Sequence, residues 1–144
     1  MNSNLTTKQF SEKTGISIDT LRYYERIGLI DPVERAPNGH RCYGERDLRR
    51  VDFLKRVRAT GMSISEMQRY VDLFRMGDST IAERRMMLEH HRQVVQEQIR
   101  ELYETMALLD TKISGYVEQE QVLHLYQNID NLCPEDMPNN HSTY

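Results

Sequence analysis

With 144 residues the chain has room for one compact domain and an extension, and 28% charged against 38% hydrophobic residues suits a protein with much exposed helix surface. An aromatic content of 8% without tryptophan argues against a large mixed core. The formal net charge of -3 hides a division: residues 1–62 hold 12 Lys+Arg against 8 Asp+Glu, and residues 63–144 hold 7 against 14, which confines any footprint for a polyanion to the front half.

Thr6 or Thr7 caps a first helix over about 7–13, with Gln9 completing a capping box and Gly15 ending the helix. Ser17 is the next N-cap. The second helix turns Ile18 and Leu21 inward and carries Thr20, Arg22, Tyr23 and Arg26 on its other face, with Gly28 closing it. In the next stretch Asn38-Gly39 signals a two-residue hairpin turn in which both residues take positive φ. Val33–Arg35 and His40–Tyr43 are its expected strands, forming a wing.

A third helix is expected over about 45–60, ended by Gly61. Ser63 caps a fourth, with Glu66 as a second capping box and Ile64, Met67, Tyr70, Val71 and Phe74 as its apolar face. From Ser79 a long helix begins. Ile81, Leu88, Val95, Leu102, Leu109 and Tyr116 recur every seven residues, and Ile99, Met106 and Ile113 fall three before the later ones. This is a coiled-coil heptad that needs a partner helix, most simply from a second copy. Arg85 and Arg92 weaken the start of the seam, which is expected to pack on the helical domain instead. A short separate helix over about 118–130 and an irregular tail after Cys133 complete the reading.

No apolar run approaches the ~20 residues that span a bilayer, and the start Met1-Asn2-Ser3-Asn4 lacks a signal-peptide apolar region. A cytoplasmic location with no membrane partner is expected. Cys42 and Cys133 lie far apart without a CxxC, which excludes a disulfide framework. Cys133 and His141 are two potential ligands and do not close a metal site. His90 and His91 are adjacent on a helix, about 100° apart, and cannot chelate together. No nucleophile–base pair, phosphate loop or cofactor motif is present, so neither an enzyme nor a cofactor is expected.

Thr14-Gly15-Ile16-Ser17, Thr20-Leu21-Arg22-Tyr23-Tyr24-Glu25, Gly28-Leu29-Ile30, Pro32, Asn38-Gly39-His40-Arg41-Cys42-Tyr43, Asp47-Leu48, Phe53-Leu54 and Gly61-Met62-Ser63-Ile64-Ser65-Glu66 occur in this order. Together they resemble the MerR family of bacterial transcription regulators. The resemblance implies a mainly α fold: a winged helix-turn-helix DNA-binding domain (residues 1–76), a long dimerising antiparallel coiled-coil helix (77–117), and a short helix with tail (118–144). It implies a homodimer on double-stranded promoter DNA that bends and untwists an overlong promoter spacer when an unknown small effector binds. RNA polymerase is then an indirect partner. The alternative is a coiled-coil adaptor that binds protein and not DNA.

DNA recognition needs cations and donors for phosphates, and shaped groups for base edges. Ser17, Thr20, Arg22 and Tyr23 sit on the first turns of the second helix, the end that meets a major groove in this motif. Arg41 and Tyr43 alternate along the wing, so both point to one face, expected to reach flanking phosphate or the minor groove. Tyr24 reads equally as core or contact, and Glu25 as the partner of a nearby arginine. Cys42 reads as a strand filler. Thiol-responsive relatives carry a reactive cysteine in the third helix, where this chain has Arg56-Val57. A small pocket lined by Tyr70, Phe74 and Met86 is a further possibility beside plain core packing.

Overall fold

The computed structural model describes residues 4–31 and 35–131. Five α-helices follow in order: α1 Thr7–Thr14, α2 Ile18–Arg26, α3 Glu45–Ala59, α4 Ile64–Arg75 and α5 Ile81–Asp130, with a single 3-10 turn Asp78–Thr80 leading into α5. The described residues up to Val95 form one compact unit and those from Gln96 onward a second.

Helix ends follow the local chemistry. Thr6 and Gln9 form a reciprocal capping box on α1, and Ser63 and Glu66 form one on α4. Asp47 accepts a hydrogen bond from the Gly44 N–H at 2.9 Å, fixing the start of α3. Gly77, at φ 90°, separates α4 from the 3-10 turn, where the buried Thr80 hydroxyl donates to the Leu73 carbonyl at 2.5 Å.

The core of the first unit gathers one apolar face from each helix. Phe10, Leu21, Val51 and Met67 are fully buried, as is Tyr43 of the wing. Leu88 packs against this cluster, so the first turns of α5 join the first unit, as the arginines of the early seam had suggested. Arg69 of α4 pairs with Glu83 at 2.7 Å, and the Thr60 hydroxyl lies 2.7 Å from His91 Nε2, adding polar links to the same turns.

Two expectations change. The wing turn is not a two-residue one. Gly39 has φ 82°, but no described residue other than glycine has positive φ, so Asn38 does not. The Ala36 N–H donates to the His40 carbonyl (2.7 Å) and the Gly39 N–H to the Ala36 carbonyl (2.8 Å), which closes a three-residue loop, Pro37-Asn38-Gly39. Proline suits the first loop position because its φ is fixed near about −65°. The Asn38 side chain accepts from the His40 N–H at 3.1 Å. Single antiparallel bridges, Arg35 with Arg41 and Leu5 with Tyr43, replace the expected strands among the described residues; Val33 and Glu34 lie outside them.

The separate helix over 118–130 is also absent, because α5 continues unbroken to Asp130. No proline interrupts it, and the lone Gly115 costs only ~1 kcal/mol in a helix interior, too little to break one so long. Val122, Leu123, Tyr126 and Ile129 therefore belong to the long helix and are exposed on it rather than folded back. Cys133, His141 and the rest of the tail lie outside the described residues.

Candidate nucleic-acid interface

The turn between α1 and α2 is built from backbone outward. Gly15 caps α1 in the left-handed region (φ 70°) and donates to the Ser11 carbonyl. The Ser11 hydroxyl donates to the Ile16 carbonyl at 2.6 Å, and the Thr14 hydroxyl, buried, to the Phe10 carbonyl at 2.9 Å. Lys55 reaches from α3 to the Thr14 carbonyl at 2.7 Å, placing a cation at the C-terminal end of α1, where the helix dipole favours one. These contacts fix the angle at which α2 leaves the turn.

α2 presents its outer face as the sequence pattern required. Leu21 and Tyr24 are buried, which resolves Tyr24 as core. Arg22 and Arg26 are exposed, and Tyr23 retains 39% of its surface. The Arg26 guanidinium lies over the Tyr23 ring, 5.4 Å from its centre, so this exposed cation joins the surface although it was left out of the expected contact set. Ser17 accepts from the Thr20 N–H at 3.1 Å and donates to the Thr20 hydroxyl at 2.9 Å. Ser17 and Thr20 thus meet directly at the helix N-terminus, with Arg22 and Tyr23 beyond them on the same short helix.

The wing residues do share a face, but it points inward. Tyr43 is 1% exposed and stacks on Phe10 with ring centres 4.2 Å apart. Its backbone also pairs with Leu5, in hydrogen bonds of 2.8 and 2.9 Å. Tyr43 is thus a core residue and not a surface contact. The local pattern gave the alternation but not which side faces the core; the preceding Phe10 helix takes the aromatic partner. Arg41 lies on the same side and forms an ion pair with Glu25 of α2 at 3.2 Å, its side chain a quarter exposed. That pairing is the one expected for Glu25, and it fastens the wing to α2. The contact is ionic without hydrogen-bond geometry, since Glu25 Oε2 is buried with no hydrogen-bond donor. Cys42 is half-buried, with its thiol 3.9 Å from the His40 carbonyl.

A second polar centre holds the exit from α2 and has no local sequence signal. Asp31 accepts from Arg50 of α3 at 2.6 Å and from Arg75 of α4 at 2.8 and 3.0 Å. Arg75 also donates to the Gly28 carbonyl at 2.7 Å, and Gln68 donates to the Ile27 carbonyl at 3.0 Å. Partial burial disfavours the Asp31 carboxylate, but the hydrogen bonds and charges of Arg75 and Arg50 outweigh it and hold the group below its ordinary value of 3.8. These partners are 19 to 44 positions apart, beyond any short pattern.

The remaining expectations concern ligands and membranes. Tyr70 and Phe74 line one cleft, and Met86 lines a different one with Met62, Met87 and His91, so the three do not share a pocket. Among the described residues no group of three or more His, Cys, Asp or Glu is placed to hold a metal ion. No helix among them is long and apolar enough to cross a membrane.

On the second unit, the heptad positions are open. Ile99, Leu102, Met106, Leu109, Ile113 and Tyr116 are each about half or more exposed, forming one apolar stripe along α5.

The sequence matches the family described as MerR family regulatory protein over residues 6–43 and the one described as MerR, DNA binding over residues 48–112. The HTH-type transcriptional regulator AdhR of Bacillus subtilis is 43% identical over 93 residues, which cover 65% of this chain and 64% of that one. An HTH-type transcriptional regulator of Haemophilus influenzae is 37% identical over 111 residues, covering 77% of this chain and 82% of the relative. Among solved structures, HiNmlR, a MerR family regulator lacking the sensor domain and bound to promoter DNA, superposes with a TM-score of 0.75 at 35% identity over 82% of this chain and 94% of that one. The matched segments run from the capped α1 through the arginine-bearing α2 and wing into the first part of α5, and on this ground the chain belongs to the MerR family of DNA-binding transcriptional regulators.

Proposed function

We propose that the chain works as a homodimer on double-stranded promoter DNA, with one α2 from each copy in the major groove, and that an effector shifts it between states that leave the promoter relaxed or bent and untwisted. RNA polymerase is then an indirect partner that reads the altered spacing. The action is binding and distortion in the cytoplasm, with no catalytic step.

The observation that carries the DNA reading is the outer face of α2, where Arg22, Tyr23 and Arg26 stand exposed beside the Ser17–Thr20 N-terminus. Guanidiniums and a phenol on one helix face suit base-edge and phosphate contact. Ser17, Thr20, Arg22 and Tyr23 remain the proposed contacts. Arg41 adds a flanking phosphate contact through the part of its side chain that Glu25 leaves open, and Tyr43 supports the wing from inside. The promoter-bound HiNmlR, 35% identical, supports the same use of this domain. The stripe on α5 supports self-association, because each apolar side chain left in water forgoes about 1.5–3 kcal/mol of burial.

A gel-shift salt titration tests the reading. Affinity for a palindromic promoter site is expected to fall steeply with salt as phosphate contacts release counterions, and Arg22→Ala is expected to weaken binding about tenfold or more without lowering the melting temperature. Salt-independent affinity, or an Arg22→Ala variant that binds like the parent, would leave the adaptor reading in place.

A further inference from the structure

A cleft of about 470 Å³ opens among α3, α4 and the segment that leaves α2. Its walls are apolar: Leu29, Ile30, Phe53, Tyr70 and Val71 line it, and Phe74 stands at its edge with 43% of its surface open. A space of this size, walled by hydrocarbon and aromatic rings with a few convergent polar groups, has the dimensions and make-up of small-molecule sites.

The charges around it are unequal in availability. Arg49, Arg50 and Arg75 line the cleft against Asp31 and Asp47. Asp47 is engaged by the Gly44 N–H, and Asp31 by Arg50 and Arg75. Arg49 is exposed and has no hydrogen-bond or ion-pair partner among the described residues. The same Arg50 guanidinium, at 5.2 Å, and one further guanidinium, that of Arg84 at 5.1 Å, lie over the Phe74 ring. The cleft therefore offers an apolar floor and an excess of cation at its mouth.

We propose that this cleft binds an amphipathic organic anion, with an aromatic or short aliphatic body against Phe53 and Tyr70 and a carboxylate on Arg49. A carboxylate there lies beside the Arg50 and Arg75 guanidiniums that hold Asp31. It competes with Asp31 for them and so alters how the exit of α2 is tied to α3 and α4. Binding stands on the cleft alone, whereas this coupling rests on the regulator reading given above.

Isothermal titration calorimetry on the full chain, with phenylacetate and hexanoate as probes and phenylacetamide as the neutral control, tests the site. Both anions are expected to bind, and the amide at least about tenfold more weakly, since it lacks the charge that strengthens a hydrogen bond from a guanidinium. Arg49→Gln, on an exposed helix face, is expected to remove the preference for anions, and Val71→Trp, which fills the cleft, to abolish binding of all three. Absence of heat with either anion at millimolar concentration, or affinities that neither variant changes, overturns the site. If no probe binds and the variants instead alter self-association in the ultracentrifuge, the cleft is a contact between copies and the small-molecule assignment falls. Gel shifts without any probe report the DNA reading separately. Gel shifts with phenylacetate report the coupling, which fails if the anion binds and promoter affinity and mobility stay unchanged.

Discussion

Gly15 shows how much one residue carries in the turn that sets α2. Its φ of 70° lies where a Cβ clashes with the backbone, at about 1–2 kcal/mol for an L-residue. A Cβ there would also stand 3.0 Å from Lys55 Nζ, which must give by a few tenths of an ångström while it holds the Thr14 carbonyl. Gly15→Ala is expected to lower the melting temperature of the first unit by roughly 5–10 °C, since about 1 kcal/mol shifts a domain of this size by 4–8 °C. Scanning calorimetry checks it; an unchanged transition would mean the turn relaxes without cost. At this scale the sequence was informative wherever the cause was local. Thr6, Ser17 and Ser63 cap the helices they were expected to cap, because a hydroxyl answers N–H groups two or three residues away. It was uninformative for Tyr43, because a two-residue alternation names a face without naming what that face meets.

Between elements, the Asp31 centre joins the exit of α2 to α3 and α4. Its carboxylate is about half exposed, so each of its ion pairs is worth at most about 1 kcal/mol. Because the folded value is depressed, the stabilisation is complete above the ordinary 3.8 and disappears as pH falls through the lower folded value. Asp31→Asn is expected to melt slightly below the parent near neutral pH, and the two curves are expected to converge as the solution is acidified below about pH 4. Thermal melts across that range decide it; a constant gap would assign the difference to shape rather than charge. The capped helices and their inward faces were legible in the chain, whereas this centre was not. Arg75 meets Asp31 across 44 positions, and nothing in either neighbourhood distinguishes these two residues from the many other charges. The wing turn falls between the cases: the glycine position was legible, and the loop length depended on Pro37 as well as on Asn38-Gly39.

For the whole molecule, the proposed self-association rests on α5. The heptad was readable because its period is carried by side-chain type alone, and from Ile99 onward its apolar residues are exposed, as the proposed pairing with a second copy requires. Leu102→Asp with Leu109→Asp is expected to weaken self-association by at least about 100-fold, each substitution acting once per copy and replacing about 1.5–3 kcal/mol of burial. Sedimentation equilibrium would show it as a shift from dimer to monomer, and palindromic DNA affinity should fall with it. A parent chain that sediments as a monomer at micromolar concentration would remove the basis for paired reading heads.

The ion pair between Arg41 and Glu25 bears on how binding responds to electrolyte. A guanidinium already matched by a carboxylate inside the fold holds little of the mobile ion cloud, and a nucleic acid strand must share it with an internal rival. On the proposed contact set Arg41 therefore adds less to the electrolyte sensitivity of complex formation than Arg22, which has no ion-pair partner among the described residues. Removing the rival with Glu25→Gln would free the wing cation, making the complex tighter in dilute buffer and more easily dispersed by concentrated salt.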